Sequence, residues 1–150
     1  MTVAMRDMAT FEYDLRVYWE DTDAGGVVFY ANYLKFFERA RTEWLRALGF
    51  SQQAMRLDDG AMFVVSSTAL RYLSPARLDD QLRVTVELRE QGRASLNVFQ
   101  QAWCGSTLLA DGDIRIGCVG ASDFKPRRMP ASLLQVLQPG APEQLPNIFT

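Results

Sequence analysis

The chain has 150 residues, 48% of them hydrophobic, and a formal charge of −2. That length fits one domain with a full core, and the slight negative charge offers no basic field for nucleic acid. The sequence contains no histidine and only two cysteines, so it excludes Ser-His-Asp and Cys-His relays, His-containing zinc sites and a Cys₄ site, and no metal is expected.

Residues 1–10 read as a flexible lead-in without the apolar centre of a signal peptide. No run of about 18 apolar residues follows, so no membrane span is expected and the chain is placed in the cytoplasm. Residues 11–19 alternate, with Phe11, Tyr13, Leu15, Val17 and Trp19 on one side and Glu12, Asp14 and Arg16 on the other. This pattern predicts a half-buried strand. Residues 31–48 predict an amphipathic helix with Tyr33, Phe37, Ala40, Trp44 and Leu48 as its apolar stripe. Lys35, Glu38, Arg39, Arg41, Thr42, Glu43 and Arg46 supply its polar faces, and Gly49 ends it. Residues 51–57 predict a short helix capped by Ser51.

Four strands are expected next, over 62–73, 81–90, 93–104 and 107–120, separated by Ser74-Pro75, Gln91-Gly92 and Gly105-Ser106. In the last of them Leu108, Ala110, Ile114, Ile116 and Cys118 share one face by alternation. Cys104 and Cys118 read as buried thiols in strands, with no disulfide between them. Residues 131–137 predict a short helix, and the proline-bearing tail over 138–150 reads as mobile. One strand, one long helix and four strands make an α+β pattern, an antiparallel sheet around one helix.

Between the first strand and the long helix lies Trp19-Glu20-Asp21-Thr22-Asp23-Ala24-Gly25-Gly26-Val27-Val28-Phe29-Tyr30-Ala31-Asn32-Tyr33. Two carboxylates stand two apart where the strand pattern stops. Paired glycines then permit a tight turn. The free N–H groups of the following helix point back toward them, and that end of a helix suits an anion or a developing oxyanion. Two readings stand on these residues alone. One is a polar turn and helix cap; the other is a carboxylate beside oriented donors, the minimum equipment for acyl transfer.

The string Glu20 to Tyr33, continued by Phe37-Glu38-Arg39-Ala40-Arg41-Thr42-Glu43-Trp44-Leu45, resembles the hotdog-fold thioesterases of the 4-hydroxybenzoyl-CoA thioesterase family. Within it the chain is most similar to the Tol–Pal system-associated acyl-CoA thioesterases. Phe50-Ser51-Gln52-Gln53-Ala54 and Pro75-Ala76-Arg77-Leu78-Asp79-Asp80 add to the resemblance, which covers about residues 12–130. It implies a hotdog fold over 11–137, a five-stranded antiparallel sheet wrapped around one central helix. It implies hydrolysis of an acyl-CoA or acyl-carrier-protein thioester without a cofactor. Asp23 takes the position of the family's catalytic carboxylate, and the Tyr30 backbone N–H that of the donor to the thioester carbonyl. Relatives often carry histidine where Tyr30 stands, which bears on its side chain and not on its N–H. Asp21 and Thr22 read as positioning residues. Gly26, Val27, Val28, Phe29 and Tyr33 would contact or line the acyl site. Lys125, Arg127 and Arg128 read either as a solvated loop or as contacts to the phosphates of coenzyme A. A homo-oligomer, dimer or tetramer, is implied, with residues 62–70 of a neighbouring subunit near the site and no nucleic acid or membrane span, peripheral association staying open. The competing reading is a non-catalytic binding module or scaffold in an envelope-maintenance assembly.

Overall fold

The computed structural model of the chain describes residues 10–137. Its strands are β1 (Thr10–Arg16), β2 (Ala61–Tyr72), β3 (Gln81–Gln91), β4 (Ser95–Cys104) and β5 (Thr107–Gly120); its helices are α1 (Asn32–Ala47), α2 (Gln52–Asp59) and α3 (Ala131–Val136). The strands form one sheet in the order β1-β3-β4-β5-β2, with every neighbouring pair antiparallel. The chain leaves β1, builds α1 and α2, and returns at the far edge as β2. Of the lead-in expected over 1–10, only Thr10 is described, and it already belongs to β1; the tail expected over 138–150 lies outside the described residues.

Hydrophobic alternation builds the sheet's inner face. β3 buries Leu82, Val84 and Val86, β4 buries Leu96, Val98 and Ala102, and β5 buries Ala110, Ile114, Ile116 and Cys118. α1 lies against β3 and β1. Its stripe is wider than the spacing suggests: Phe36 and Leu45 are buried beside Tyr33, Phe37, Ala40 and Trp44, while Leu48 is only half-buried. Phe36 and Phe37 have no exposed surface, and truncating either removes roughly 3–5 kcal/mol of packing. α2 starts as expected, with the Ala54 N–H donating to Ser51 Oγ at 3.0 Å. It runs on to Asp59 and ends at Gly60, whose left-handed φ of 63° closes it.

Three expectations need correcting. The first strand stops at Arg16, and Trp19 opens a 3₁₀ turn (Trp19–Asp21) with 82% of its surface exposed instead of sharing the buried face. In β5 a bulge shifts the register between the Ala102↔Ala110 and Trp103↔Leu108 pairs, so Leu109 fills the core and Leu108 is half-buried. Cys104 is half-buried, whereas Cys118 is buried.

A buried polar tie joins helix to sheet. Gln100 has no exposed surface. Its Nε2 donates to the Phe37 carbonyl of α1 at 3.1 Å and to the Thr85 carbonyl of β3 at 3.2 Å. Its Oε1 accepts from Arg41 Nη1 at 2.9 Å. The β3–β4 ladder is open between Val84↔Ala102 and Glu87↔Phe99, and there the Gln101 N–H donates to Thr85 Oγ1 at 3.1 Å. Side chains therefore satisfy the backbone where the ladder does not. Gln100→Met, close in volume, strands the Arg41 guanidinium and the Thr85 carbonyl; we expect a loss of about 2–3 kcal/mol in urea unfolding, and a change below about 0.5 kcal/mol would show that the tie holds nothing.

Candidate active site

The loop between β1 and α1 is fixed at both ends by one residue. Asp21 is 5% exposed. Its Oδ2 accepts from the Tyr18 N–H at 2.8 Å, which holds the 3₁₀ turn. Its carbonyl accepts from the Phe29 N–H at 3.0 Å and from Asn32 Nδ2 at 2.8 Å, which holds the entry to α1. Thr22 Oγ1 donates to the Trp19 carbonyl at 2.8 Å. Both residues therefore position the loop.

Within that frame the chain makes a tight turn from Asp23 to Val27. The Asp23 N–H donates to the Val27 carbonyl at 2.9 Å and the Gly26 N–H to the Asp23 carbonyl at 3.1 Å. Gly26 sits at φ 79°, a conformation that favours glycine, although a Cβ there would meet nothing within 4 Å. Asp23 is exposed, and its Oδ1 accepts from the Gly25 N–H at 2.8 Å. Its second carboxylate oxygen takes no hydrogen bond among the described residues and is free to act.

The loop then lies along the β2–β3 connection, where the Val28 N–H donates to the Ala76 carbonyl at 2.8 Å and Val27 bridges to Arg77. Tyr30 stands two residues ahead of α1, in the turn that leads into it. The first N–H groups of α1 are taken up by that turn: Asn32 donates to Phe29 and Leu34 to Ala31. The N–H groups of Tyr30 and Ala31 have no acceptor among the described residues. They share the electropositive end of a sixteen-residue helix that has no side-chain cap. A free carboxylate and a free donor thus flank one short loop, an arrangement that can attack or hydrate a carbonyl while polarising its oxygen.

The other expected lining residues divide. Val28 and Tyr33 are buried, 6% and 3% exposed, and support the site from within the core. Val27 is half-buried, and Phe29 and Tyr30 are exposed. The Tyr30 ring packs on Phe29 at 4.9 Å and edge-on to Tyr72 at 5.9 Å, and Tyr72 meets Tyr33 at 5.6 Å. Ala76, from the string Pro75 to Asp80, joins the site through its backbone carbonyl, and Tyr72, at the end of β2, joins it without having been singled out in the sequence. The one hint was an aromatic residue placed just before the Ser74-Pro75 break.

Lys125, Arg127 and Arg128 lie elsewhere in the chain. The Arg127 N–H donates to the Cys118 carbonyl at 2.9 Å, and its Nη1 reaches the Gly60 carbonyl at 3.3 Å. Pro126 bridges to Val119. The cluster therefore sits at the start of β2, whereas Tyr30 meets the end of β2 at Tyr72. A strand of twelve residues spans roughly 35 Å. A single chain does not bring the cluster to Asp23.

The sequence model of the family described as Thioesterase superfamily matches residues 25–110, from the glycine turn through Tyr30 to β5. The chain belongs to the thioesterase superfamily. It is 42% identical over 120 residues to the acyl-CoA thioesterase YbgC of Haemophilus influenzae, covering 80% of this chain and 88% of that protein. It is 45% identical over 126 residues to the acyl-CoA thioester hydrolase YbgC of Escherichia coli, covering 83% and 92%. Among solved structures, a probable thioesterase from Bartonella henselae superposes with a TM-score of 0.78 at 33% identity, over 81% of this chain and all (100%) of that one. The five-stranded antiparallel sheet and its central helix are the hotdog fold, and the protein is an enzyme that hydrolyses thioesters.

Burial pushes the Tyr33 hydroxyl above the usual tyrosine value of 10.0, against the opposing pull of the Ala76 backbone, with Tyr72 and Asp80 adding to the rise. The folded thioesterase holds this proton more tightly than the unfolded chain does. The stability it contributes is full below about pH 10 and is lost as pH climbs through the raised value. Urea unfolding of wild type between about pH 9 and 12 should therefore show an alkaline decline that Tyr33→Phe reduces; equal declines in both proteins would mean that Tyr33 does not titrate out of its buried place.

Proposed function

We propose that the substrate is an acyl-CoA thioester, with Asp23 as the catalytic carboxylate and the Tyr30 N–H as the donor to its carbonyl oxygen. The observation that carries this is the pairing of a carboxylate oxygen and a backbone N–H, both without protein partners, across one loop that Asp21 holds at each end. The names of the relatives in Haemophilus influenzae and Escherichia coli support coenzyme A as the carrier.

Two routes balance on this geometry. In one, Asp23 attacks the carbonyl carbon, the C–S bond breaks, the thiolate leaves and takes up a proton, and water opens the resulting anhydride. In the other, Asp23 takes a proton from water as the hydroxyl adds, and returns it to the departing sulfur. In either, charge builds on the oxygen facing Tyr30, where one such donor is typically worth roughly 3–4 kcal/mol. In single turnover in ¹⁸O water, label entering the Asp23 carboxylate marks the first route; with no label there and no acyl-enzyme trapped by hydroxylamine, the second stands.

The site also calls for a second copy. β2 is an edge strand with residues 65–69 exposed, a bare ladder that proteins seldom leave open. Two copies joined antiparallel through β2 would bring the start of one β2 beside the end of the other. The partner's Lys125, Arg127 and Arg128 would then stand near Tyr72 and Tyr30, in reach of the phosphates of a bound coenzyme A. Residues 62–70 of the partner would border the site. We extend the proposal to a dimer or tetramer in the cytoplasm, associated with the Tol–Pal envelope assembly as the resemblance implies. Among the described residues no helix is long and apolar enough to cross a membrane.

Thiol release from acyl-CoA substrates should fall about 10²-fold or more in Asp23→Asn, the scale of a catalytic acid or base. Full activity in that variant would remove Asp23 from the reaction, and no turnover by wild type of any acyl-CoA or acyl-carrier-protein thioester would leave the binding-module reading in its place. Sedimentation should show a dimer or tetramer; a monomer would contradict the shared site.

A further inference from the structure

One flank of α1 runs along the margin of the core and joins it only at Leu45. Leu34, Glu38, Arg41 and Leu45 recur at i, i+4, i+7 and i+11 and so share a face that starts beside Tyr30. Moving along it from Tyr30, the first side chain is the exposed Leu34 (45%), then come Glu38 and Arg41, which themselves line a cavity of about 150 Å³ together with Leu45, Phe63, Leu96 and Ile116. The flank is apolar, then charged, then apolar.

Arg41 is the unusual member. It is half-buried, yet no carboxylate lies within ion-pair distance of it among the described residues. Its partner is the neutral Gln100 amide at 2.9 Å. Glu38, one turn away, accepts instead from Thr42 Oγ1 at 2.9 Å. Burial pulls the Arg41 pKa below its ordinary value, with Glu38 opposing, as expected for a guanidinium short of compensation. Gln100 also bonds the Phe37 carbonyl, which sets the guanidinium level with Phe37. That is seven residues on from Tyr30, about 10 Å along the helix axis.

An acyl chain whose carbonyl sits at Tyr30 and whose tail follows this flank meets the guanidinium after roughly eight carbons on that rise. Methylenes laid over it would strip its remaining water and give no hydrogen bond in return, a costly exchange for a cation. We propose that Arg41, held in place by Gln100, sets the upper limit of acyl length, so that the enzyme takes short and medium acyl groups and rejects long ones. This rests on the Asp23 and Tyr30 reading of the site. Without the cation, the cavity that Arg41 lines, whose other walls are mostly apolar, would receive the tail of a longer chain.

The test is kcat/KM for thiol release from butanoyl-, hexanoyl-, octanoyl-, dodecanoyl- and hexadecanoyl-CoA by the full chain, as wild type, Arg41→Met and Arg41→Lys. Wild type should fall about tenfold or more between hexanoyl and dodecanoyl, Arg41→Met should raise the dodecanoyl-to-hexanoyl ratio about tenfold, and Arg41→Lys, which keeps a cation, should retain the fall. A wild type that turns over dodecanoyl and hexadecanoyl as well as hexanoyl overturns the proposal while leaving Asp23 and Tyr30 in place. So does an Arg41→Met that scales every length by one factor. No turnover at any length sinks the reading of the site itself. If Arg41→Met does not fold, the wild-type profile and Arg41→Lys decide.

Discussion

The site exists because Asp21 accepts hydrogen bonds from both ends of one loop. Its carboxylate is tied to the Tyr18 N–H and its carbonyl to Phe29 and Asn32. A buried carboxylate is costly unless hydrogen-bonded, and the 3₁₀ turn supplies the donor. Once the ends are joined, the residues between them can only project outward as a turn. Asp23 then faces solvent on one limb, and the unpaired N–H groups of Tyr30 and Ala31 mark the other. The two groups proposed to meet one carbonyl are set by a backbone closure, and neither depends on its own side-chain packing. Orientation of this kind lowers the barrier before any charge is moved.

Alternation made most of the fold legible. β3, β4 and β5 follow the period-2 pattern because one face of each is turned to the core, and the 3.6 period of Tyr33, Phe37, Ala40 and Trp44 gave the helix. What failed did so for local reasons that a period cannot register. Trp19 continues the alternation of β1 in sequence, but the pull of Asp21 on the Tyr18 N–H turns the chain out of the sheet before Trp19 is reached. Leu108 keeps the right parity, but a bulge inserts Leu109 into its place. Gln100 was legible in principle, since a polar residue at an inward position of β4 must find partners in the core. Arg41 was hidden among six other polar residues of α1, all read as surface. The loop around Asp23 was legible as a motif; its geometry was not, because the bonds that fix it run to Ala76 and Arg77, some fifty residues away in the chain by numbering.

In the proposed dimer, the sheet order would leave one chain with only part of a coenzyme A site. β2 runs from Gly60 and the basic cluster at one end to Tyr72 and the tyrosine cluster at the other. It is also the edge strand, with its outer ladder unpaired. A symmetric contact through an antiparallel edge exchanges the ends of the strand, so the same bare edge that calls for a partner determines what the partner delivers. Under that proposal the separation of the basic cluster from Asp23 would be a property of the half-site, and the position of β2 in the sheet would decide how it is made good.

The absence of histidine gives the remaining constraint. With no imidazole to shuttle a proton, the carboxylate proposed for catalysis would serve both the forward and the return transfer, or bond the acyl group itself. A carboxylate is a weak base and a weak nucleophile in water, so the larger share of the barrier has to be lowered on the carbonyl side. In the proposed site that share would fall to a backbone N–H at the mouth of a long helix, a donor whose strength is independent of the side chain attached to it. The Tyr30 ring is accordingly free to do something else: it packs on Phe29 and Tyr72 and walls the approach to the loop. If the group that acts at position 30 is the backbone N–H, any residue except proline can provide it, and a tyrosine there costs the proposed site nothing.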